Sequence, residues 1–216
     1  NASGFSALNA EVRYLNPVLH VTFPRDTNGV KWANRFTSVN KKREGVLTTT
    51  KIHPDSPVDP KKKANEEYTS EIDWTKVLFA AGPLLVPSVT VSKANLSREQ
   101  IIAEKTRLRS LFAPLANAET PAVAAEEGEM YSITFTQESA VYEGAYCWAD
   151  DRIYGVIYSP EDHFALVQQL RDRGENGVTT IVVPSFVKPE NIHVYSLAIT
   201  ADGKITSNSV HMTLGA

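Results

Sequence analysis

Apolar side chains near the N-terminus recur every three or four residues, which is the spacing of one helix face. The stripe in residues 7–23 consists of Leu8, Val12, Leu15 and Leu19. It predicts an amphipathic helix, and Pro17 predicts a kink or a helix start beside it. A similar stripe predicts a second helix over residues 30–47, with the basic residues 41–43 on its outer side.

The pattern changes after residues 53–63. This stretch contains three prolines, and it predicts an extended loop because each proline disfavours a helical conformation in the residue before it. Short apolar runs follow the loop. We therefore expect an N-terminal helical segment with its Pro-rich loop over residues 1–70 and a β-rich unit over residues 71–216.

The β-rich unit begins with short strands that a helix interrupts. Residues 77–79 and 89–91 predict strands. A helix over residues 97–115 opens with the Ser-x-x-Gln pattern of a capping box. This helix and the acidic, small-residue stretch after it predict a helical insertion at about 96–129.

The C-terminal part of the chain contains the clearest strands. They cover residues 131–135, 153–158 and 178–183, the last a continuous β-branched run that predicts a buried strand. Residues 192–200 and 209–214 are predicted to pair across a turn that contains Asp202-Gly203, because Asp-Gly is the strongest short hairpin signal. Residues 161–173 fit either a helix or a strand.

About seven short strands separated by turns are typical of an immunoglobulin-like or fibronectin type III-like β-sandwich. We therefore predict a mainly β chain with helices, in which an N-terminal helical segment and a helical insertion accompany this sandwich. Tyr195 lies in the strand before the final hairpin, where such sandwiches often have a corner tyrosine.

Composition narrows the class of protein without naming an activity. Of the 216 residues, 42% are hydrophobic and 22% are charged, which excludes a disordered chain, a collagen-like chain and a coiled-coil rod. The net charge of −3 gives no overall attraction to nucleic acid or anionic lipid, and the basic runs 41–43 and 61–63 lack interleaved aromatics. No apolar stretch reaches the roughly 18 residues that cross a bilayer. We expect no nucleic acid partner and no membrane span.

Motifs of known chemistry are missing from the sequence. It has no phosphate-binding loop, dinucleotide fingerprint, Gly-x-Ser-x-Gly elbow or His-Glu-x-x-His pair. Cys147 is the single cysteine, so no intrachain disulfide forms, and we expect a small buried hydrophobe rather than a nucleophile. We predict no catalytic residues, no metal site and no cofactor.

Polar clusters leave two chemical alternatives open. Asp150 or Asp151 with a histidine would suit a hydrolase, and the Asp-His pair at residues 162–163 would supply two metal ligands if distant residues completed the site. Surface turns are the interpretation we favour for both. His193 and His211 flank the Asp-Gly turn at similar distances, which predicts that they face each other across the hairpin.

An aromatic cluster is the most informative candidate site. It consists of Tyr142, Tyr146, Trp148, Tyr154 and Tyr158. These rings either fill the core, or a subset of them contacts a sugar or a protein partner. The connection over residues 138–150 is long enough to carry such a binding surface.

Three segments resemble an uncharacterised, domain-of-unknown-function family widespread in Bacteroidetes. They are residues 71–84 (EIDWTKVLFAAGPL), 190–214 (ENIHVYSLAITADGKITSNSVHMTL) and 14–23 (YLNPVLHVTF), and 190–214 is the specific one. The resemblance implies an N-terminal helical region, a C-terminal immunoglobulin-like sandwich and no known activity or catalytic residues. Because the family usually has a longer N-terminus, it also implies truncation or processing before Asn1.

These observations favour a non-catalytic interaction or structural assembly module. Its expected partner is an unidentified protein or a second copy of the chain, at a cell surface or in a phage-like particle. The alternative is a carbohydrate-binding module that uses the aromatics of residues 142–158. The first residues have neither the basic nor the apolar region of a signal peptide, and the compartment stays open.

Overall fold

The structure is a computed structural model that describes residues 2–23, 31–56, 62, 67–112 and 130–214. Its helices are α1 (Ala2–Thr22), α2 (Trp32–Lys42) and α3 (Arg98–Phe112). Its strands are β1 (Leu47–Lys51), β2 (Tyr68–Ile72), β3 (Ser88–Asn95), β4 (Tyr131–Glu138), β5 (Arg152–Ser159), β6 (Phe164–Asp172), β7 (Gly177–Val183), β8 (His193–Ile199) and β9 (Val210–Met212). Short 3-10 helices cover Trp74–Lys76 and Pro189–Asn191.

The strands of the described residues form three antiparallel sheets. β1 pairs with β2 in a two-stranded sheet. A three-stranded sheet has the order β3-β4-β7, and a four-stranded sheet has the order β6-β5-β8-β9. The prediction of a mainly β chain with helices is confirmed.

One core cluster joins the three-stranded and four-stranded sheets. Tyr131, Ile133 and Phe135 alternate along β4 and are buried in this cluster with Ile153 and Ile157 of β5. Alternate side chains of a strand lie on one face, so these residues define the inner faces of both sheets. Gly155 lies between the two β5 residues, and a Cβ there would come within 2.7 Å of the Phe135 ring. The close approach of the sheets requires glycine at this position.

A second core cluster covers the other face of the four-stranded sheet. Val156 and Tyr158 of β5 and Leu197 of β8 share this cluster with Leu15 of α1 and Phe36 of α2. The four-stranded sheet is therefore buried on both faces. This explains why β5 and β8 are apolar along most of their length, because a strand covered on both sides does not alternate.

The two predicted N-terminal helices are confirmed. α1 begins earlier than predicted and continues through Pro17. Leu8, Leu15 and Leu19 of its predicted stripe are fully buried. α2 is shorter than predicted, and the basic residues 41–43 at its end are exposed.

The prediction of a strand at residues 77–79 is wrong. Val77, Leu78 and Phe79 are buried, but the backbone of Leu78 and Phe79 bonds to side chains instead of a neighbouring strand. The Asn40 amide accepts from Leu78 N at 2.7 Å and donates to Leu78 O at 2.8 Å. Ser209 Oγ accepts from Phe79 N at 2.8 Å. Backbone N–H and C=O groups of an apolar run thus find hydrogen-bond partners outside any sheet, and the periodicity of the sequence does not indicate such partners.

The sequence analysis missed the β1–β2 pair, where Thr49 and Ser70 join their hydroxyl groups at 3.0 Å. Residues 161–173, which fit either element, contain strand β6. The strand predicted at 178–183 is present as β7, but its predicted burial holds only in part, because Ile181 and Val183 pack into the core between the sheets while other side chains of the strand are exposed. Val178 is 59% exposed.

The helical insertion and the C-terminal hairpin follow the prediction where the structure describes them. Ser97 and Gln100 form the capping box at the start of α3 through reciprocal hydrogen bonds. The side chains of residues 108–112 and the predicted loop 116–129 lie outside the described part. β8 pairs with β9 beyond a turn in which Gly203 has φ +75°.

The predicted corner role of Tyr195 does not match its contact. Its hydroxyl donates to Trp74 O at 2.5 Å, 121 residues away, on the helical side of the four-stranded sheet. A corner tyrosine would bond to the backbone a few residues upstream. The predicted division between residues 70 and 71 stays a prediction, although the helices share a core cluster with the sheet.

Candidate functional site

The aromatic candidates divide by exposure. Tyr142, Tyr146 and Trp148 lie in the connection between β4 and β5 and are 58%, 49% and 45% exposed. Tyr154 is partly buried in the core cluster under the helices. Tyr158 is completely buried, which agrees with the alternative in which these rings fill the core. The structure brings three of the five predicted residues to one surface.

Tyr158 belongs to the contact between α1 and the four-stranded sheet. Its hydroxyl donates to a carboxylate oxygen of Glu11, and its ring packs on Trp74 with centroids 4.7 Å apart. Burial, with the Glu11 carboxylate as a second cause, raises the pKa of the Tyr158 phenol well above its ordinary value. This tyrosine stays neutral and joins two layers.

The connection that carries the exposed rings is held by specific contacts. Cys147 is 6% exposed, which confirms the predicted small buried residue, and its sulfur accepts from Tyr142 N at 3.4 Å. The carbonyl of Tyr146 accepts from Leu85 N at 2.9 Å. Gly144 turns the chain with φ +75°. The rings of Tyr146 and Trp148 contact each other edge to face, with centroids 5.0 Å apart.

A buried ion pair supports the base of Trp148. Arg173 Nε donates to Asp151 Oδ2 at 2.9 Å, and both side chains are 1% exposed. Arg173 also donates to Leu85 O at 2.6 Å, and Trp148 N donates to the same Asp151 oxygen at 3.0 Å. The other oxygen, Asp151 Oδ1, is buried and has no hydrogen-bond partner among the described residues.

An open depression of 330 Å³ adjoins Trp148. Its lining consists of Trp148, Asp150, Asp151, Thr200, Ala201, Asp202 and Ile205. The C-terminal turn reaches this place because Arg152 at the start of β5 pairs with Ile199 at the end of β8. Sequence reasoning singled out Trp148 and both aspartates of residues 150–151 but missed the contribution of the turn.

A second depression of 630 Å³ lies at the ends of β4 and β7. Gln137 lines it and accepts through Oε1 from Arg171 N at 3.2 Å. Asn176 Oδ1 accepts from Ser139 N at 2.7 Å at the same place. These polar groups bond to backbone, so they stabilise the loops at this end of the sheets.

The hydrolase and metal alternatives receive no support from the described residues. No histidine lines the depression beside Asp150 and Asp151. His163 instead stacks on Tyr14 with centroids 3.8 Å apart, and Asp162 accepts from Ser159 Oγ at 2.7 Å. No group of three metal-ligating side chains occurs in the part of the chain that the structure describes.

The predicted histidine pair is confirmed. His193 Nδ1 and His211 Nε2 are 3.3 Å apart, and the two rings lie near Trp74 and Tyr195. Burial, together with the neighbouring His211, lowers the pKa of His193 to about 4. Burial also lowers the pKa of His211. The pair is neutral near pH 7 and shares one hydrogen bond.

Comparison with known proteins gives no match: no family model, curated protein or solved structure is similar to this chain. The resemblance to a Bacteroidetes family therefore stays a prediction. Among the described helices, none combines the length and apolar character needed to cross a membrane. The structure defines the class: a mainly β protein with helices, in which the described residues form three antiparallel sheets.

Proposed function

We propose that this chain is a non-catalytic protein-binding module, built on a fibronectin type III-like sandwich with a helical layer on one face. The strand order supports the sandwich, because β3-β4-β7 faces β6-β5-β8-β9 around a common core. Fibronectin type III domains share this architecture of two packed antiparallel sheets with immunoglobulin domains. Because such sandwiches have many functions, we infer binding from the surface of the molecule and not from its fold.

The main support for protein binding is a group of exposed apolar side chains at one end of the molecule, here called the aromatic end. It consists of Val86, Val141, Tyr142, Tyr146 and Trp148, each 40% exposed or more. The hydrogen bond from Leu85 N to Tyr146 O places Val86 beside the aromatic connection. Contiguous exposed apolar groups in a folded protein mark interaction sites, and tyrosine and tryptophan contribute most to binding.

The aromatic end is also held in place before a partner arrives. The Asp151–Arg173 ion pair, the Cys147 contact and the Tyr146 carbonyl each fix one part of its backbone. A surface that is already ordered loses less conformational entropy on binding. This favours a specific docking surface over loosely exposed loops.

Site-specific photo-crosslinking in the native host tests the proposal. Tyr142→p-benzoylphenylalanine is compared with Phe186→p-benzoylphenylalanine, because Phe186 is 64% exposed but lies in the connection between β7 and β8. We expect a defined protein adduct at position 142 that Trp148→Ala abolishes, and none at position 186. Equal yields at both positions, or no adduct at position 142, would contradict it.

Self-association is tested on the purified chain. Light scattering after size exclusion over a concentration series, with wild type and Trp148→Ala, shows whether the partner is a second copy. A wild-type oligomer that the variant dissociates identifies self-association through the aromatic end. If wild type and variant are both monomers, the crosslinked adduct contains a different protein.

Carbohydrate binding is the second candidate, because Trp148 lines a depression together with the polar residues Asp150 and Thr200. Aromatic rings beside hydrogen-bonding side chains are suited to sugars. A glycan array with wild type and Trp148→Ala tests this function. If the variant still binds glycans, the depression is not the binding site. If the wild type binds no glycan, carbohydrate binding is wrong.

A further inference from the structure

The strand β7 is an edge strand that pairs with β4 on one side and with no strand of the described residues on the other. Leu96 N donates to Met130 O at 2.9 Å, which continues the β3–β4 ladder by one pair. Because bonded pairs alternate along an antiparallel ladder, even-numbered residues of β4 bond to β3 and odd-numbered ones bond to β7. The N–H and C=O groups of Val178, Thr180 and Val182 therefore point to the open side of β7.

β7 lacks the features that protect the other edges of the two facing sheets. Its sequence, Gly-Val-Thr-Thr-Ile-Val-Val, has no charge and no proline, and its pairing with β4 has no bulge. The edge strand β3 contains Lys93, β6 has charged residues and an irregular register, and β9 is three residues long. Lysines, bulges and short length keep edge strands from pairing with other chains. Of these four edges, β7 is the one that is suited to receive a further strand.

The sequence of β7 complements a second copy of itself. When two copies lie antiparallel about a two-fold axis at Thr180, every residue from Gly177 to Val183 has a partner. Val178 then lies opposite Val182 of the second copy, so the residues that face each other are those with open N–H and C=O groups. No like charges meet, opposite threonines stabilise paired strands, and Val178, which is 59% exposed, loses apolar surface to water.

The ends of β7 limit this pairing to one strand length. Pro184 follows the strand at a position whose N–H would face the second copy, and proline has no N–H to donate. At the other end the chain turns back to β6 at Arg173 and Gly174. Because a two-fold contact uses the same edge of both copies, it leaves no open β7 edge and assembly stops at a dimer.

We propose that two copies of this chain dimerise by pairing their β7 strands antiparallel, with Thr180 at the two-fold axis. The two three-stranded sheets then form one continuous sheet of six strands. This inference goes beyond the proposed protein-binding function, because the contact is the edge of a sheet and contains none of the exposed rings of the aromatic end.

Light scattering after size exclusion over a concentration series tests the dimer. We expect a wild-type dimer whose dissociation constant rises at least about tenfold in Thr180→Lys, because two lysines would face each other at the axis. Thr180 is exposed, so the variant is expected to fold, and circular dichroism checks this. Thr90→Lys is the matched control, because Thr90 is an exposed threonine of the other edge strand, β3. It should dimerise like the wild type.

Introduced cysteines test the register of the two strands. Opposite residues of a bonded antiparallel pair have Cα atoms about 5.5 Å apart, which a disulfide can span, so Thr180→Cys should form a linked dimer under mild oxidation. Val178→Cys alone should not, because its own counterpart is displaced by four residues, roughly 13 Å along the strand. A mixture of Val178→Cys and Val182→Cys chains should link. The native Cys147 is buried, and oxidised wild type is the blank.

Three outcomes would overturn the inference. They are a wild-type monomer at every concentration, a dimer that Thr180→Lys leaves intact, and equal linking of Thr180→Cys and Val178→Cys. If the wild type is a monomer and Thr180→p-benzoylphenylalanine captures a different protein in the host, β7 receives a foreign strand and the second copy is wrong. A dimer that Trp148→Ala dissociates belongs to the aromatic end instead. The crosslink at position 142 does not depend on these results, so the protein-binding function stands or fails separately.

Discussion

At the scale of single residues, Arg173 explains how a full charge is buried in this fold. Its guanidinium donates to Asp151, Leu85 and Val86, so one side chain connects a strand end with two separate connections. Removing one partner of such a pair leaves the other charge buried without a counter-charge. This lowers the stability of the folded state more than replacing both partners by apolar residues would.

We therefore expect Arg173→Ala to lower the free energy of unfolding by about 3–5 kcal/mol. Urea denaturation followed by far-UV circular dichroism measures the change. Arg171→Ala is the matched control, because Arg171 lies two residues earlier on β6 with an exposed side chain. A similar, small effect of both substitutions would show that the ion pair does not hold the aromatic end.

The histidine pair makes stability depend on pH. The pKa of His193 is lowered from 6.5 to about 4 in the folded state, mainly by burial. As the pH falls below 6.5 the unfolded chain takes up a proton that the folded chain does not. The contribution of neutral His193 to the free energy of unfolding is therefore complete above pH 6.5 and decreases continuously towards pH 4.

His193→Gln should reduce this pH dependence by about 1 kcal/mol between pH 7 and pH 4.5, a value discounted because the ring is only partly buried. Urea unfolding at several pH values measures the slope. His53→Gln, at an exposed turn, should retain it. An unchanged slope in His193→Gln would mean that other groups cause the acid sensitivity.

At the scale of elements, local patterns were sufficient wherever an element has one buried face. The α1 stripe, the β4 alternation and the α3 capping box were predicted because neighbours in sequence determine them. Residues 77–79 were assigned wrongly because the backbone of Leu78 and Phe79 bonds to Asn40 and Ser209, which are distant in sequence. Patterns of apolar residues contain no information about such partners.

Asn40 is therefore expected to be essential for the segment after the 3-10 helix at Trp74–Lys76. Asn40→Ala removes both hydrogen bonds to Leu78 and leaves its buried N–H and C=O unpaired, which should cost about 2–4 kcal/mol. Thermal or urea unfolding measures it. Ser38→Ala, an exposed position of the same helix, should change stability little. A mild effect of Asn40→Ala would mean that the segment finds other partners.

At the scale of the whole molecule, the helices and sheets share buried residues. Leu15 of α1 is fully buried in the cluster that contains Val156 and Leu197. Leu15→Ala should lower stability by about 2–5 kcal/mol and shift the tryptophan and circular dichroism transitions together. Phe5→Ala, 44% exposed on the same helix, is the control. A shift of one transition alone would support two independently stable units.

At this scale, only part of the candidate site could be predicted from the sequence. Tyr142, Tyr146 and Trp148 were identified from composition and their place in a long connection. The pairing of Asp151 with Arg173 and the approach of Asp202 follow from how the strands are registered, and neither spacing nor residue type indicates them. The exposed aromatic residues were predictable, and the buried ion pair that supports them was not.

The double covering of the four-stranded sheet has a consequence for exchange of its amide hydrogens. The strands β5 and β8 are central in that sheet and covered by helices on one face and by β4 on the other. Water reaches their N–H groups only after large parts of the molecule open. These amides should exchange with deuterium last and report the global stability, whereas those of the edge strand β3 exchange through local opening.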